Sequence, residues 1–176
     1  QFFFNIKESF KSIYQNSNFY EKKISKTFDN SFEYKPSPHL LSSIVKYQNK
    51  KYKIEDFAID SIWQNNLSLK DYEKLNNFFW FFSLDLKSSK KTTQTIIKNW
   101  ISNNAKYQKK SWEFDLTAKR IISWLSNHQL TYEDGDKEYR IKFDQCIQKQ
   151  VNHLLSEIKN SNEFENKMIG CAAIIL

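Results

Sequence analysis

Over the C-terminal two thirds of the chain, apolar residues recur at helical spacing. Tyr72, Leu75, Phe79, Phe82 and Leu86 share one helical face behind Ser68-x-x-Asp71, an N-terminal capping pattern, and predict a helix from Ser68 onward. After a turn at 88–91, Ile96, Ile97, Trp100 and Ile101 mark a second helix, and polar residues 103–111 read as a loop. Leu116, Ile121, Trp124 and Leu125 predict a third helix ending near Asn127-His128, with 112–116 extended or looped before it. Glu133-Asp134-Gly135-Asp136 is the clearest turn. Phe143, Ile147, Val151, Leu154, Leu155 and Ile158 then predict a long amphipathic helix. A polar link at 160–162 precedes a last apolar helix from about Glu163.

The first third is less regular. Residues 1–33 alternate aromatic and polar positions, with Phe10, Ile13 and Tyr14 at helical spacing, and read as one or two short helices. Lys35-Pro36-Ser37-Pro38 marks a break and a helix start, followed by Leu40, Leu41, Ile44 and Val45. Residues 52–62 are ambiguous between strand and helix. Each helical hairpin is too narrow to bury its own apolar face. The units must therefore stack side by side as a bundle, a solenoid or a closed toroid. No fixed-period repeat is present, which lowers the solenoid options.

Composition supports an all-α chain. Among 176 residues there are 2 Gly and 2 Pro, far too few for a β sandwich or barrel that turns about every 8–12 residues. The same scarcity removes the glycine-rich phosphate loops of nucleotide-binding folds. An aromatic fraction of 16% supplies enough burial to exclude a disordered tail. The chain starts on Gln1 and ends Ile-Ile-Leu, and is expected to be an internal piece of a longer protein.

The formal net charge of +7 invites a polyanion, but of 27 basic residues only Arg120 and Arg140 are arginine. Readers of nucleic acid favour the planar Arg fork, and here the longest basic runs are Lys pairs. A Lys-rich solvated surface accounts for the charge, and nucleic acid is not an expected partner. Cys146 and Cys171 stand alone on apolar faces and are expected as buried free thiols. His39, His128 and His153 show no metal-ligand spacing, so neither a metal nor a cofactor is assigned. No apolar run approaches the roughly 18 residues of a membrane span.

The most informative stretch is Trp112-Glu-Phe-Asp-Leu-Thr-Ala-Lys-Arg120-Ile-Ile-Ser-Trp124. Arg120 and Trp124 are four apart and share a helical face. That pair reads either as an Arg-plus-aromatic platform for a sugar ring or carboxylate, or as a core Trp beside an Arg paired with a local acid such as Asp115. The stretch resembles the N-terminal region of heparinase II/III-like proteins, where a Trp precedes a Thr-Ser-x-Arg-Ile-x-x-Trp segment. Flanking segments agree in order: Asn77-Phe78-Phe79-Trp80-Phe81-Phe82, then Ile96-Ile97-Lys98-Asn99-Trp100-Ile101, then a Gln-rich helix over 148–158 and an apolar one over 162–176. The resemblance covers about 60–176, dividing the chain into an N-terminal helical segment at 1–60 and the first part of the family's domain at 61–176.

The resemblance implies part of an incomplete α/α toroid, with a β-sandwich domain downstream and an acidic polysaccharide as partner. It also implies β-elimination of a uronate-containing glycan, with Trp112, Arg120 and Trp124 binding substrate. The family's carboxylate neutraliser is an Asn in an Asn-His-Leu-Leu stretch, which falls on Asn166-Lys167-Met168-Ile169. Asn166 becomes the candidate catalytic residue, with Asn162 as a competing register. Lys167 replaces the family's His, and no Gly precedes the Asn. The family's Tyr and His acid and base are expected beyond Leu176, so this stretch alone is expected to be inactive. A lyase would work in the periplasm or outside the cell. The alternative is a non-catalytic glycan-binding or envelope-polysaccharide assembly protein with the same fold.

Overall fold

A computed structural model describes residues 2–26, 68–84 and 89–176. The proline break, the Leu40–Val45 pattern, the ambiguous 52–62 segment and Leu86 lie outside the described residues. Among those described, every regular element is a helix. They are α1 (Phe2–Gln15), α2 (Asn18–Ile24), α3 (Leu69–Asn76), a 3-10 turn (Phe79–Ser83) and α4 (Lys90–Asn104). Then follow α5 (Phe114–Ser126), the single turn α6 (His128–Thr131), α7 (Lys137–Glu157) and α8 (Phe164–Ile175).

Three helix starts are capped as their sequences require. The Ser17 hydroxyl accepts from the Tyr20 amide at 3.2 Å, Ser89 from Thr92 at 3.2 Å, and the Asp136 carboxylate from Tyr139 at 2.8 Å. Each side chain satisfies an amide that the first helical turn leaves without a partner. The turn before α7 is held from α4, where Lys90 pairs with Asp134 at 2.6 Å and Gln94 donates to the Glu133 carbonyl at 2.8 Å.

Helix α5 is the centre of the fold. From Leu116 to Ser126 only Lys119 escapes full burial, and a helix buried all round must be enclosed by neighbours. Those neighbours are α8, α7, the 3-10 turn, α3 and α6. Helix α8 comes close because Gly170 faces the Phe114 ring, and a Cβ there would lie 2.4 Å from the ring's Cζ. Helix α2 rests on α7.

Several expectations from the sequence are corrected. The helix from Ser68 stops at Asn76 instead of running through Phe82. Phe78 takes a left-handed conformation at φ 58°, and the Asn77 side chain accepts from the Phe79 amide at 2.9 Å, closing a tight turn. The break shifts the buried register: Phe78, Phe81 and Leu84 are in the core, while Tyr72, Leu75, Phe79 and Phe82 are half-buried. In α7 the core face is rotated, with Gln150 and His153 buried alongside Phe143, Cys146 and Leu154, and Leu155 exposed. Helix α5 starts at Phe114, inside the stretch expected to be a loop, and α4 runs on to Asn104. Cys146 is a buried free thiol as expected, but Cys171 is exposed on the outer face of α8.

Candidate functional site

Residues that carry the resemblance, though far apart in sequence, meet at the break between α3 and the 3-10 turn. Ending α3 at Asn76 leaves backbone carbonyls without helical partners in the interior, where an unmet acceptor costs about 1–3 kcal/mol. Arg120 of α5 supplies the missing donor, its Nη1 bonding the Asn76 carbonyl at 2.9 Å, and Ser123 Oγ adds a second donor, at 2.5 Å, to the Phe78 carbonyl, which also accepts from the Phe81 amide at 2.9 Å. The Asn76 side chain is held in turn, accepting from Trp100 Nε1 at 2.9 Å and donating to the Tyr72 carbonyl at 2.9 Å.

Arg120 is completely buried. Its Nε donates to Gln150 at 2.8 Å and its Nη2 to Thr117 at 3.3 Å, and the guanidinium carbon lies 4.0 Å from the Trp100 ring centroid. No carboxylate pairs with it among the described residues. Carbonyl dipoles and the Trp100 face take the role of a counter-ion. Burial lowers the Arg120 pKa to about 9, so the group remains charged at neutral pH. The same burial pushes the neighbouring Cys146 thiol up to about 11, which keeps it protonated and unreactive.

Trp124 is a core residue, as one of the two sequence readings has it, but neither reading names the partners of Arg120. Its aromatic partner is Trp100 of α4 and not Trp124, and Asp115 pairs with Lys119 at 2.7 Å. Trp124 is fully buried against Phe78 and Trp100, edge-on at 5.1 and 5.5 Å between ring centroids, with Phe143 also at 5.5 Å. Its Nε1 has no acceptor among the described residues. Trp112 is equally buried but sits elsewhere, donating from Nε1 to the Asn104 carbonyl at 3.1 Å. The three proposed binding residues thus form no shared surface, and none reaches solvent.

Trp112 belongs to a second cluster with Tyr20, Ile24 and Tyr107, over which the ring of His153 lies. The Tyr20 hydroxyl meets His153 Nδ1 at 2.7 Å and Ser156 Oγ at 2.9 Å. Burial lowers the His153 pKa to about 4 and raises that of Tyr20 to about 12, so both are neutral across the physiological range. Sequence reasoning missed this pair, whose members are 133 residues apart. The available signal was that His153 and Gln150 fall on the same helical stripe as Phe143, Cys146 and Leu154.

Asn166 lies apart from both clusters, half-buried in the first turn of α8, where its Nδ2 donates to Glu163 Oε2 at 2.8 Å. Chemically, the amide already holds a carboxylate. Among the described residues no group of three or more His, Cys, Asp or Glu side chains is placed to hold a metal ion. Comparison with known proteins gives no match, whether to a protein-family model, a curated protein or a solved structure.

Proposed function

We propose that this chain is the helical frame of a heparinase II/III-like protein acting on a uronate-containing acidic glycan, in the α/α toroid arrangement of that family. One observation carries the reading. Three of the segments that carry the resemblance, 77–82, 96–101 and 112–124, converge on one buried turn, where Ser123 bonds the Phe78 carbonyl and both Trp100 and Arg120 bond Asn76, the residue just before the first of them. A chance likeness in spacing gives no reason for that convergence. Buried Trp112, Arg120 and Trp124 serve this frame by fixing how α3, α4, α5 and α7 sit together.

The reaction is β-elimination. A base takes the C5 proton of the uronate, the C4–O bond breaks as the C4–C5 double bond forms, and an acid protonates the departing oxygen. The step needs the uronate carboxylate neutralised, so that charge developing at C5 is stabilised. Asn166 is the candidate for that task, and its bond to Glu163 is the same amide-to-carboxylate interaction, which substrate would have to displace. The glycan-binding reading without turnover is favoured by one feature, Lys167 in place of the family's His.

The test is an assay of the protein from its complete reading frame on heparan, alginate and related polymers, followed by the ultraviolet absorbance of the unsaturated product. Product from a uronate polymer supports the lyase. Binding without product, unaffected by Asn166→Ala, selects the binding protein, and neither binding nor product overturns both.

A further inference from the structure

The N-terminal hairpin of α1 and α2 has two unlike faces. Its inner face carries Tyr20 and Ile24, both buried, and is fastened to α7 by polar contacts: Tyr20 to His153, and Asn152 Nδ2 to the Ile24 carbonyl at 2.6 Å and the Lys26 carbonyl at 2.9 Å. Two ion pairs cross the same junction, Lys149 with Glu21 and Lys11 with Glu157. The junction therefore neutralises Glu21 and Lys11.

The outer face is apolar and exposed. Phe10 is 70% exposed, Ile13 70% and Phe19 71%, and Tyr14 is also exposed. Phe10, Ile13 and Tyr14 follow one another at helical spacing on α1. The Tyr14 and Phe19 rings lie 6.3 Å apart, which joins the two helices into one patch. Single exposed apolar residues are ordinary, but four adjoining ones on a small hairpin call for a partner. Beside the patch stand Lys22, Lys23 and Lys26, all exposed and without an ion pair among the described residues. Lys23 Nζ is 6.0 Å from the Tyr14 ring centroid, so the cationic rim borders the apolar surface.

We propose that this hairpin is a docking surface for an anionic lipid bilayer. Aromatic and aliphatic side chains entering the headgroup boundary while lysines stay at its level is the arrangement of an interfacial amphipathic element. Charge decides between occupants. A second copy meeting this face across a two-fold axis would set Lys22, Lys23 and Lys26 against their own equivalents, on a chain of net charge +7. A leaflet rich in acidic headgroups supplies the missing negative charge. No helix among the described residues is long and apolar enough to cross a membrane, so the contact lies along the surface. The proposal stands independently of the glycan reading.

The experiment is co-sedimentation of the protein with phosphatidylcholine vesicles, with and without phosphatidylserine. Binding is expected at least about tenfold tighter to the anionic vesicles and should weaken as salt is added. Lys22→Gln, Lys23→Gln and Lys26→Gln together should lower the partition roughly a hundredfold, at about fivefold per lysine. Phe10→Ser with Phe19→Ser should abolish it. All five side chains are exposed, so far-ultraviolet circular dichroism and the urea midpoint should match the wild type. No sedimentation, equal binding to neutral vesicles, or variants that bind like wild type would each overturn the proposal. So would a dimer in sedimentation velocity that vanishes in the Phe variant, without vesicle binding.

Discussion

Arg120 Nη1 donates to the backbone carbonyl of Asn76 across 44 residues of sequence, at 2.9 Å and fully out of water. This bond explains how a helix can end inside the core. With an ordinary C-terminus the last carbonyls turn to solvent or are met by a glycine-based cap. Here the chain reverses at Phe78, a left-handed non-glycine residue whose conformation costs about 1–3 kcal/mol. Packing offsets that cost, because the buried Phe78 ring meets Phe81, Trp100 and Trp124 edge-on. Arg120 satisfies the Asn76 carbonyl before the reversal, and Ser123 adds to the bond that the Phe78 carbonyl accepts from the Phe81 amide.

The fit of α8 against α5 depends on Gly170. Alanine would raise helix propensity by about 1 kcal/mol, but its Cβ would lie 2.4 Å from Phe114 Cζ. Gly170→Ala should therefore destabilise the wild type by about 1 kcal/mol, through overpacking. In a Phe114→Ala background the same change should stabilise. Urea unfolding of the four proteins checks the reversal of sign, and additive effects would show that the ring moves aside freely.

The docking of the N-terminal hairpin should depend on pH through His153. Its folded pKa is depressed to about 4 from an ordinary 6.5, so between those values the unfolded chain binds a proton that the folded chain does not. The contribution is fully present above about pH 6.5, and it is lost as pH falls toward 4. At most about 3 kcal/mol is involved. Groups facing the ring pull both ways: Glu157 favours the charged form, while Arg120 and Lys11 oppose it. Against wild type, His153→Gln should flatten the stability profile in this interval, as followed by urea unfolding at successive pH values. Parallel profiles would contradict the assignment.

The two thiols should react very differently. Cys171 is exposed, whereas Cys146 is buried and held protonated by its surroundings. A chromogenic disulfide reagent should label one thiol per native chain promptly, and the second only after unfolding. Peptide mapping should place the fast label at Cys171.

Much of the helical order could be read from periodicity and from the turns at 88–91 and 133–136, which are local signals. The reversal at Phe78 could not. Asn77-Phe78-Phe79-Trp80 contains no Gly or Pro, and its donors come from α5, more than 40 residues away. The α7 face was misjudged for a related reason. Gln150 and His153 share the helical stripe of Phe143, Cys146 and Leu154, but their polar type points to solvent, and the partners that let them be buried, Arg120 and Tyr20, reach them from distant elements. The Trp112, Arg120 and Trp124 spacing was visible, and what it does physically was not. Spacing locates residues on a face and says nothing of whether that face is covered.

Whether Arg120 is a frame residue or a ligand contact is decided most directly by the urea unfolding free energy of Arg120→Ala. Loss of the guanidinium orphans the Asn76 carbonyl and the Gln150 amide oxygen and opens a cavity beneath Trp100. The expected destabilisation is about 3 kcal/mol or more. A change within about 0.5 kcal/mol, the range of an ordinary surface substitution, would contradict the account and return Arg120 to the ligand-binding surface.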